Sequence, residues 1–306
     1  MGKIKLDSLN DNLKPELEEY LSNQIKSIIP FKQDYYNLKN SKFFIVEGKL
    51  DKVFFEKIFD KSNNLIAVED LSKSASAFKR NYKISNSKIE IKKLVIFTNL
   101  PFLEKNNVYG IVDKDFDEEF PTRLNSRVFS NNTHDLETML VASDSKLLAT
   151  IFPFNAKRIS KAMFMAYQIA IVKEFISKRI SNSPSVTVGD YNFWKDCFDN
   201  EAIFNIEKFI KKINSQNEKS KQLNPAPMMN LLKNKTLTHF QNNMPQNFYE
   251  LVNGHDLMNC LILNYEDNQQ VMQFKNSISY KLINCYNLEN FKETVLYSKL
   301  KNNKII

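Results

Sequence analysis

Residues 108–117 read Val-Tyr-Gly-Ile-Val-Asp-Lys-Asp-Phe-Asp, and residues 43–51 read Phe-Phe-Ile-Val-Glu-Gly-Lys-Leu-Asp. Each stretch is a short, unbroken apolar run that gives way to carboxylates. A short apolar run of this kind is the pattern of a buried strand. The residues from Asp51 to Phe59 carry the apolar spacing of a helix packing on the first strand after a tight turn. The two stretches therefore predict an α/β fold with acidic groups at the C-terminal ends of its strands, the edge where open α/β sheets bind ligands.

Working outward, Lys42 to Val46 and Val108 to Val112 are the firmest strands, with Leu65 to Val68 and Arg127 to Ser130 as further ones. A helix is expected around Ser76 to Tyr82, and Ile91 to Phe102 is an apolar block of ambiguous period. Thr133-His134-Asp135-Leu136-Glu137 opens a helix that runs through Val141, with Thr133 as N-cap and Leu136, Met139 and Leu140 facing inward. Upstream of the first strand, Leu17, Tyr20, Leu21, Ile25 and Ile28 recur at helical steps between Pro15 and Pro30. Beyond residue 150 the strand pattern fades. Helical periodicity takes over at Ala156 to Ile180, Ala202 to Ile213, Phe248 to Asn264 and the last forty residues. Polar, proline-containing connectors lie at 182–189 and 215–227. The expected organisation is a helical lead-in at 1–40, an α/β domain at 41–150 and a mainly α-helical domain at 151–306.

Composition narrows the function classes. The 306 residues are 42% hydrophobic and 25% charged, as in folded proteins, which excludes a disordered or collagenous chain. The longest mostly apolar stretch, Ala162 to Val172, is bracketed by Lys161 and Lys173 and falls short of the ~20 residues of a membrane span. The N-terminus lacks the apolar core of a signal peptide, and Leu6 stands where a myristoylation motif wants Ser or Thr. Cys197, Cys260 and Cys285 are odd in number and widely spaced, without zinc-type pairing, so reduced thiols and a cytoplasmic location are expected. The net charge of +8 attracts phosphate backbones, but it is carried by Lys with only five Arg and sits among many Asn. An A/T-rich coding sequence produces the same bias, so both explanations stay open.

Two acidic clusters carry the candidate chemistry. Glu47 ends the first strand and Gly48 follows it, a residue able to turn sharply and hold the carboxylate at the sheet edge. Asp51 either joins Glu47 in an acidic turn or caps the helix that follows. Asp113, Asp115 and Asp117 end the other strand, and carboxylates two apart on an extended segment share a face and can hold a hard divalent cation. An EF-hand loop starting at Asp113 fails, because Glu118 and Leu124 occupy the positions that need Gly and Glu. Phe116 argues against a phosphatase-type nucleophilic Asp-x-Asp, whereas a solvated acidic turn remains a competing reading. Lys49, Lys52 and Lys114 are candidates to steady a phosphate. His134 and His255 are either proton carriers or capping and core groups, and Tyr191, Phe193, Trp194 and Lys195 either stack on bases or belong to a core. No Gly-rich phosphate loop, HExxH or GxSxG motif is present.

In order and spacing, FFIVEGKLD, VYGIVDKDFD and THDLETML resemble a TOPRIM domain, the Rossmann-like metal-binding fold of topoisomerases, primases and OLD-type nucleases. With NGHDL at 253–257, the chain is more specifically similar to the TOPRIM-type effectors of bacterial anti-phage defence, the PARIS-type group among them. The resemblance covers about residues 42 to 141 and that late segment. It implies a toxic Mg²⁺-dependent endonuclease (Mn²⁺ as substitute), a hydrolase with Glu47, Asp113 and Asp115 as catalytic and metal-binding residues. Asp117, Lys49 and Glu137 are added as further site residues. It also implies RNA, chiefly tRNA, as substrate ahead of DNA, a partner ATPase that releases the effector, and a homodimer when active. An OLD-type DNA endonuclease, or a binding module that kept the fold without catalysis, is the alternative.

Overall fold

A computed structural model describes residues 42–59, 64–67, 108–114, 127–152, 156–179, 196–199, 202–215, 223–233, 235–264 and 268–306. The expected lead-in helix, the helix at 76–82, the block at 91–102, Asp115, Asp117 and the cluster at 191–195 lie outside the described residues. The described chain forms two compact units.

The α/β unit holds strands β1 (Phe43–Val46), β2 (Asn64–Ala67), β3 (Val108–Val112) and β4 (Val128–Ser130), with helix α1 (Lys49–Ile58) between β1 and β2. The four strands are parallel in the order β2-β1-β3-β4. Phe44, Ile45 and Val46 on β1 and Ile111 and Val112 on β3 are all buried, the two-sided burial that their unbroken apolar runs call for. Phe44 stacks on Phe59 at 4.1 Å and on Tyr109 at 5.6 Å, and Phe55 stacks on Phe59 at 5.5 Å. These contacts hold α1 and its C-terminal residue Phe59 against the sheet.

Helix α1 begins at Lys49, two residues ahead of expectation, because Asp51 caps it. The Asp51 carboxylate accepts the Gly48 N–H at 2.7 Å. Gly48 has φ −125° and ψ 168°, extended backbone open to any residue, so the expected glycine turn is not what redirects the chain. The last twelve residues also belong to this unit, through helix α11 (Val295–Asn302). Lys299 Nζ donates to the Ser130 carbonyl at 2.7 Å, Lys42 Nζ donates to the carbonyls of Lys304 and Ile305, and Leu296, Leu300 and Ile305 are buried.

The helical unit spans Asn132–Thr294. It contains α2 (Leu136–Ser143), α3 (Leu147–Ile151), α4 (Ala156–Arg179), α5 (Ile206–Ser215), α6 (Ala226–Leu232), α7 (Leu237–Asn242), α8 (Phe248–Leu251), α9 (Gly254–Leu263), α10 (Asn268–Cys285) and a 3₁₀ turn at Leu288–Glu293. Ala162, Ala166 and Ala170 on α4 are fully buried and let α9 approach closely, and Lys173 on α4 pairs with Asp256 on α9 at 2.6 Å. Phe240, Phe248, Phe164 and Tyr167 form an aromatic cluster beside α4. The Gln168 side chain, buried in this core, donates to the Ala202 carbonyl and accepts the Phe204 N–H, so its amide is satisfied at both ends.

This grouping differs from the expected division at 150. Residues 132–150 pack with the helical unit because α2 is buried among α8, α9 and α10, and 295–306 pack with the sheet. The segment expected as one helix from 248 to 264 is two, since Asn253 is extended and its side chain accepts the Asp256 N–H to start α9 afresh. The helix expected from 202 starts at Ile206.

Candidate functional site

In the α/β unit, β1 leads through α1 to β2 on one side, while β3 lies on its other side. The crevice between the C-terminal ends of β1 and β3 is therefore the topological switch point, where ligands bind in open α/β sheets. Register fixes which residues reach it. Val46 pairs with Ile111, so Glu47 and Asp113 are the residues that leave the sheet on neighbouring strands. They meet directly: the Asp113 N–H donates to Glu47 Oε1 at 3.0 Å. The Glu47 side chain is thereby folded back over the end of β3 and buried, while Asp113 is half-buried.

Lys49, the first residue of α1, is exposed at the positive end of that helix. Asp51 belongs to the cap. The donor set on the two strand ends is hard carboxylate oxygen, which suits Mg²⁺ or Mn²⁺ and not a soft metal. Asp115 and Asp117 follow on the chain beyond the described residues.

The helical unit holds a second cluster. The N-cap of α2 is Asp135, not Thr133: Asp135 Oδ1 accepts the Thr138 N–H at 3.0 Å and the Thr138 hydroxyl at 2.9 Å. The Thr133 hydroxyl is turned instead to the Asp135 carbonyl. Asp135 Oδ2 accepts the Gly254 N–H at 2.6 Å and lies 3.4 Å from His134 Nδ1. The His134 N–H donates to the Tyr249 carbonyl at 2.9 Å. THDLE and NGHDL, far apart in the chain, are thus stitched together by backbone as well as side chains.

Gly254 is indispensable to that seam. A Cβ there would sit 2.5 Å from Asp135 Oδ1 and 2.5 Å from Glu137 Cβ. Glu137 is buried, with Ser279 Oγ donating to its Oε1 at 3.3 Å and His255 Nδ1 at 3.6 Å. The ligand atoms of Asp135, Glu137 and His255 all lie within 4.8 Å of one another.

The two carboxyls differ in electrostatics. Burial pushes Asp135 up, but the His134 ring and the Thr138 and Gly254 amides outweigh it and hold the group below the ordinary carboxylate range. Burial pushes Glu137 up as well, the Asp135 charge adds to it, and the opposing pull of His255 leaves it above that range.

Of the expected site residues, the structure brings Glu47 and Asp113 together at the sheet edge. Glu137 belongs to the helical unit, where its contacts are Ser279 and His255. Lys114 is occupied by Glu250 at 2.8 Å and the Asn132 carbonyl at 3.3 Å. His134 is a core hydrogen-bonding group, and His255 is exposed. The joining of 133–137 to 253–255 was not expected from sequence. Its signal was the repeated His-Asp pair, since only three His occur and two of them precede an Asp. Comparison with family models, with curated proteins and with solved structures finds no match for this chain.

Proposed function

We propose that the chain is a TOPRIM-type, divalent-metal-dependent nuclease that hydrolyses phosphodiester bonds in RNA, tRNA ahead of DNA, as the toxic cytoplasmic effector of an anti-phage system. The observation that carries this reading is the Glu47 carboxylate held on the Asp113 amide at the switch point of a parallel sheet.

A divalent cation bound there supplies an activated water and stabilises charge on the phosphate and the leaving oxygen. Glu47, Asp113 and Asp115 are the residues that would hold it, with Asp117 next along the chain. The protein's own contribution is positional. Glu47 is buried and anchored by a backbone N–H, so its orientation is set before substrate arrives, which removes an ordering cost at the moment of reaction. Lys49 and the amides at the start of α1 favour an anionic phosphate beside the strand ends. The surplus of Lys over acidic groups draws the polyanion in from solution. A partner ATPase restrains the enzyme until infection, and release allows a homodimer to act.

Labelled tRNA, duplex DNA and plasmid, each incubated with purified protein and Mn²⁺ or Mg²⁺, test the proposal, with the restraining partner's trigger supplied where the lone chain is silent. Cleavage of tRNA by the wild type and its loss in Glu47→Gln support it. Equal cleavage by both proteins removes Glu47 from catalysis. Cleavage confined to DNA reassigns the substrate, and no cleavage under any condition leaves a metal-binding module without catalysis.

A further inference from the structure

We propose that Ser130 is a positioning residue of the sheet-edge site, its hydroxyl holding a water of the divalent cation that Glu47 and Asp113 would bind. The inference rests on the metal reading of those two residues and adds a third strand to it.

Register places Ser130 there. Val46 pairs with Ile111, so Glu47 comes level with Val112, and Val112 pairs with Ser130. Residues level with one another on parallel strands share a face of the sheet. Glu47, Val112 and Ser130 therefore form one row across the C-terminal ends of β1, β3 and β4. Neighbouring strands lie ~4.8 Å apart, so Glu47 and Ser130 stand on either side of β3, the strand that runs on into Asp113. Val112, between them, is buried.

An independent observation concerns the hydroxyl itself. Ser130 is only 1% exposed, yet its Oγ has no hydrogen-bond partner among the described residues. A buried polar group left in that state costs stability, and native proteins keep few of them. The strand does not call for one, since Val128 and Phe129 precede it and Ala would occupy nearly the same volume without the cost. The residue is also held in place, because Lys299 Nζ on α11 donates to its carbonyl at 2.7 Å. A fixed hydroxyl one strand from Asp113 suits a water that is itself bound to a cation. Mg²⁺ keeps several such waters, and the outer groups around a metal site tune its affinity.

Ser130→Ala separates this role from packing, because it removes the hydroxyl and little else. The full chain, stripped with EDTA, is titrated calorimetrically with MnCl₂ as wild type, Ser130→Ala, Ser130→Thr and Glu47→Gln. Urea midpoints are read for each with and without Mn²⁺. Metal-free Ser130→Ala should be at least as stable as the wild type, while its Mn²⁺ affinity falls about tenfold and Mn²⁺ raises its midpoint less. Ser130→Thr restores a hydroxyl and should regain affinity. Wild-type affinity in Ser130→Ala, with affinity lost in Glu47→Gln, overturns the role of Ser130 and leaves the metal site standing. No Mn²⁺ binding by the wild type, or equal binding in Glu47→Gln, overturns the metal reading and this inference with it.

Discussion

The Glu47 carboxylate accepts the main-chain N–H of Asp113, so replacing it has a structural consequence as well as a chemical one. Gln keeps a carbonyl acceptor for that amide, whereas Ala removes the side-chain acceptor altogether. Urea unfolding should find Glu47→Ala less stable by about 1 kcal/mol and Glu47→Gln close to wild type. A large loss in the glutamine variant would mean that the carboxylate's charge, and not its geometry, holds the strand ends. At Gly254 the issue is space. With Asp135 Oδ1 and Glu137 Cβ each 2.5 Å from an added Cβ, Gly254→Ala should cost about 1–3 kcal/mol in the same experiment, and an unchanged midpoint would contradict the close approach of α9 to α2. The three cysteines separate by environment. Cys285 is exposed, while Cys197 and Cys260 are buried, and burial pushes the Cys197 thiol up to about 11 and Cys260 well above its ordinary value. Because a thiol reacts as thiolate, native protein at pH 8 should show one fast-alkylating group at Cys285, and Cys197 should stay slow until the pH nears 11. Three equally fast thiols would show the helical core to be open.

Caps decide where the elements begin, and two of them carry testable weight. Asp51→Ala removes the acceptor for the Gly48 N–H, and Asn253→Ala removes the acceptor for the Asp256 N–H that restarts the chain as α9. Each should lower stability by about 1 kcal/mol, read from the denaturant midpoint at unchanged slope. A neutral Asn253→Ala would mean that packing alone sets the break between α8 and α9. The same elements show what a sequence can express. Strands β1 and β3 were legible because a strand buried on both faces must be apolar without alternation, and the carboxylates that follow mark where burial ends. The break before α9 was hidden because Phe248, Leu251, Val252, Met258 and Ile262 keep a helical period straight across it. The α2 cap was expected at Thr133 and is Asp135, because both are good caps and the Gly254 N–H bond to Asp135 adds a tertiary partner that Thr133 lacks in the local sequence. Glu137 was expected as a further site residue from the resemblance, and its burial was not legible because it follows from the tertiary packing that covers α2 on nearly every side.

At the scale of the molecule, the expected mixture of an α/β sheet region and a larger helical region is present, yet the chain does not divide at one point. It leaves the sheet unit near residue 131 and returns to it at 295, so that α11 closes against β4. No local pattern announces such a return. A C-terminal amphipathic helix looks the same whichever unit buries it. Among the described residues, no helix is long and apolar enough to cross a membrane. The placement of Glu47 and Asp113 at the switch point follows from strand order, which sequence alone leaves open, and the proposed chemistry rests on that placement. The most direct measurement is an anomalous-difference map from crystals of the full chain soaked in Mn²⁺. A peak is expected about 2.1 Å from carboxylate oxygens of Glu47 and Asp113, absent in Glu47→Gln. Full occupancy elsewhere with no peak between these two strand ends would contradict it.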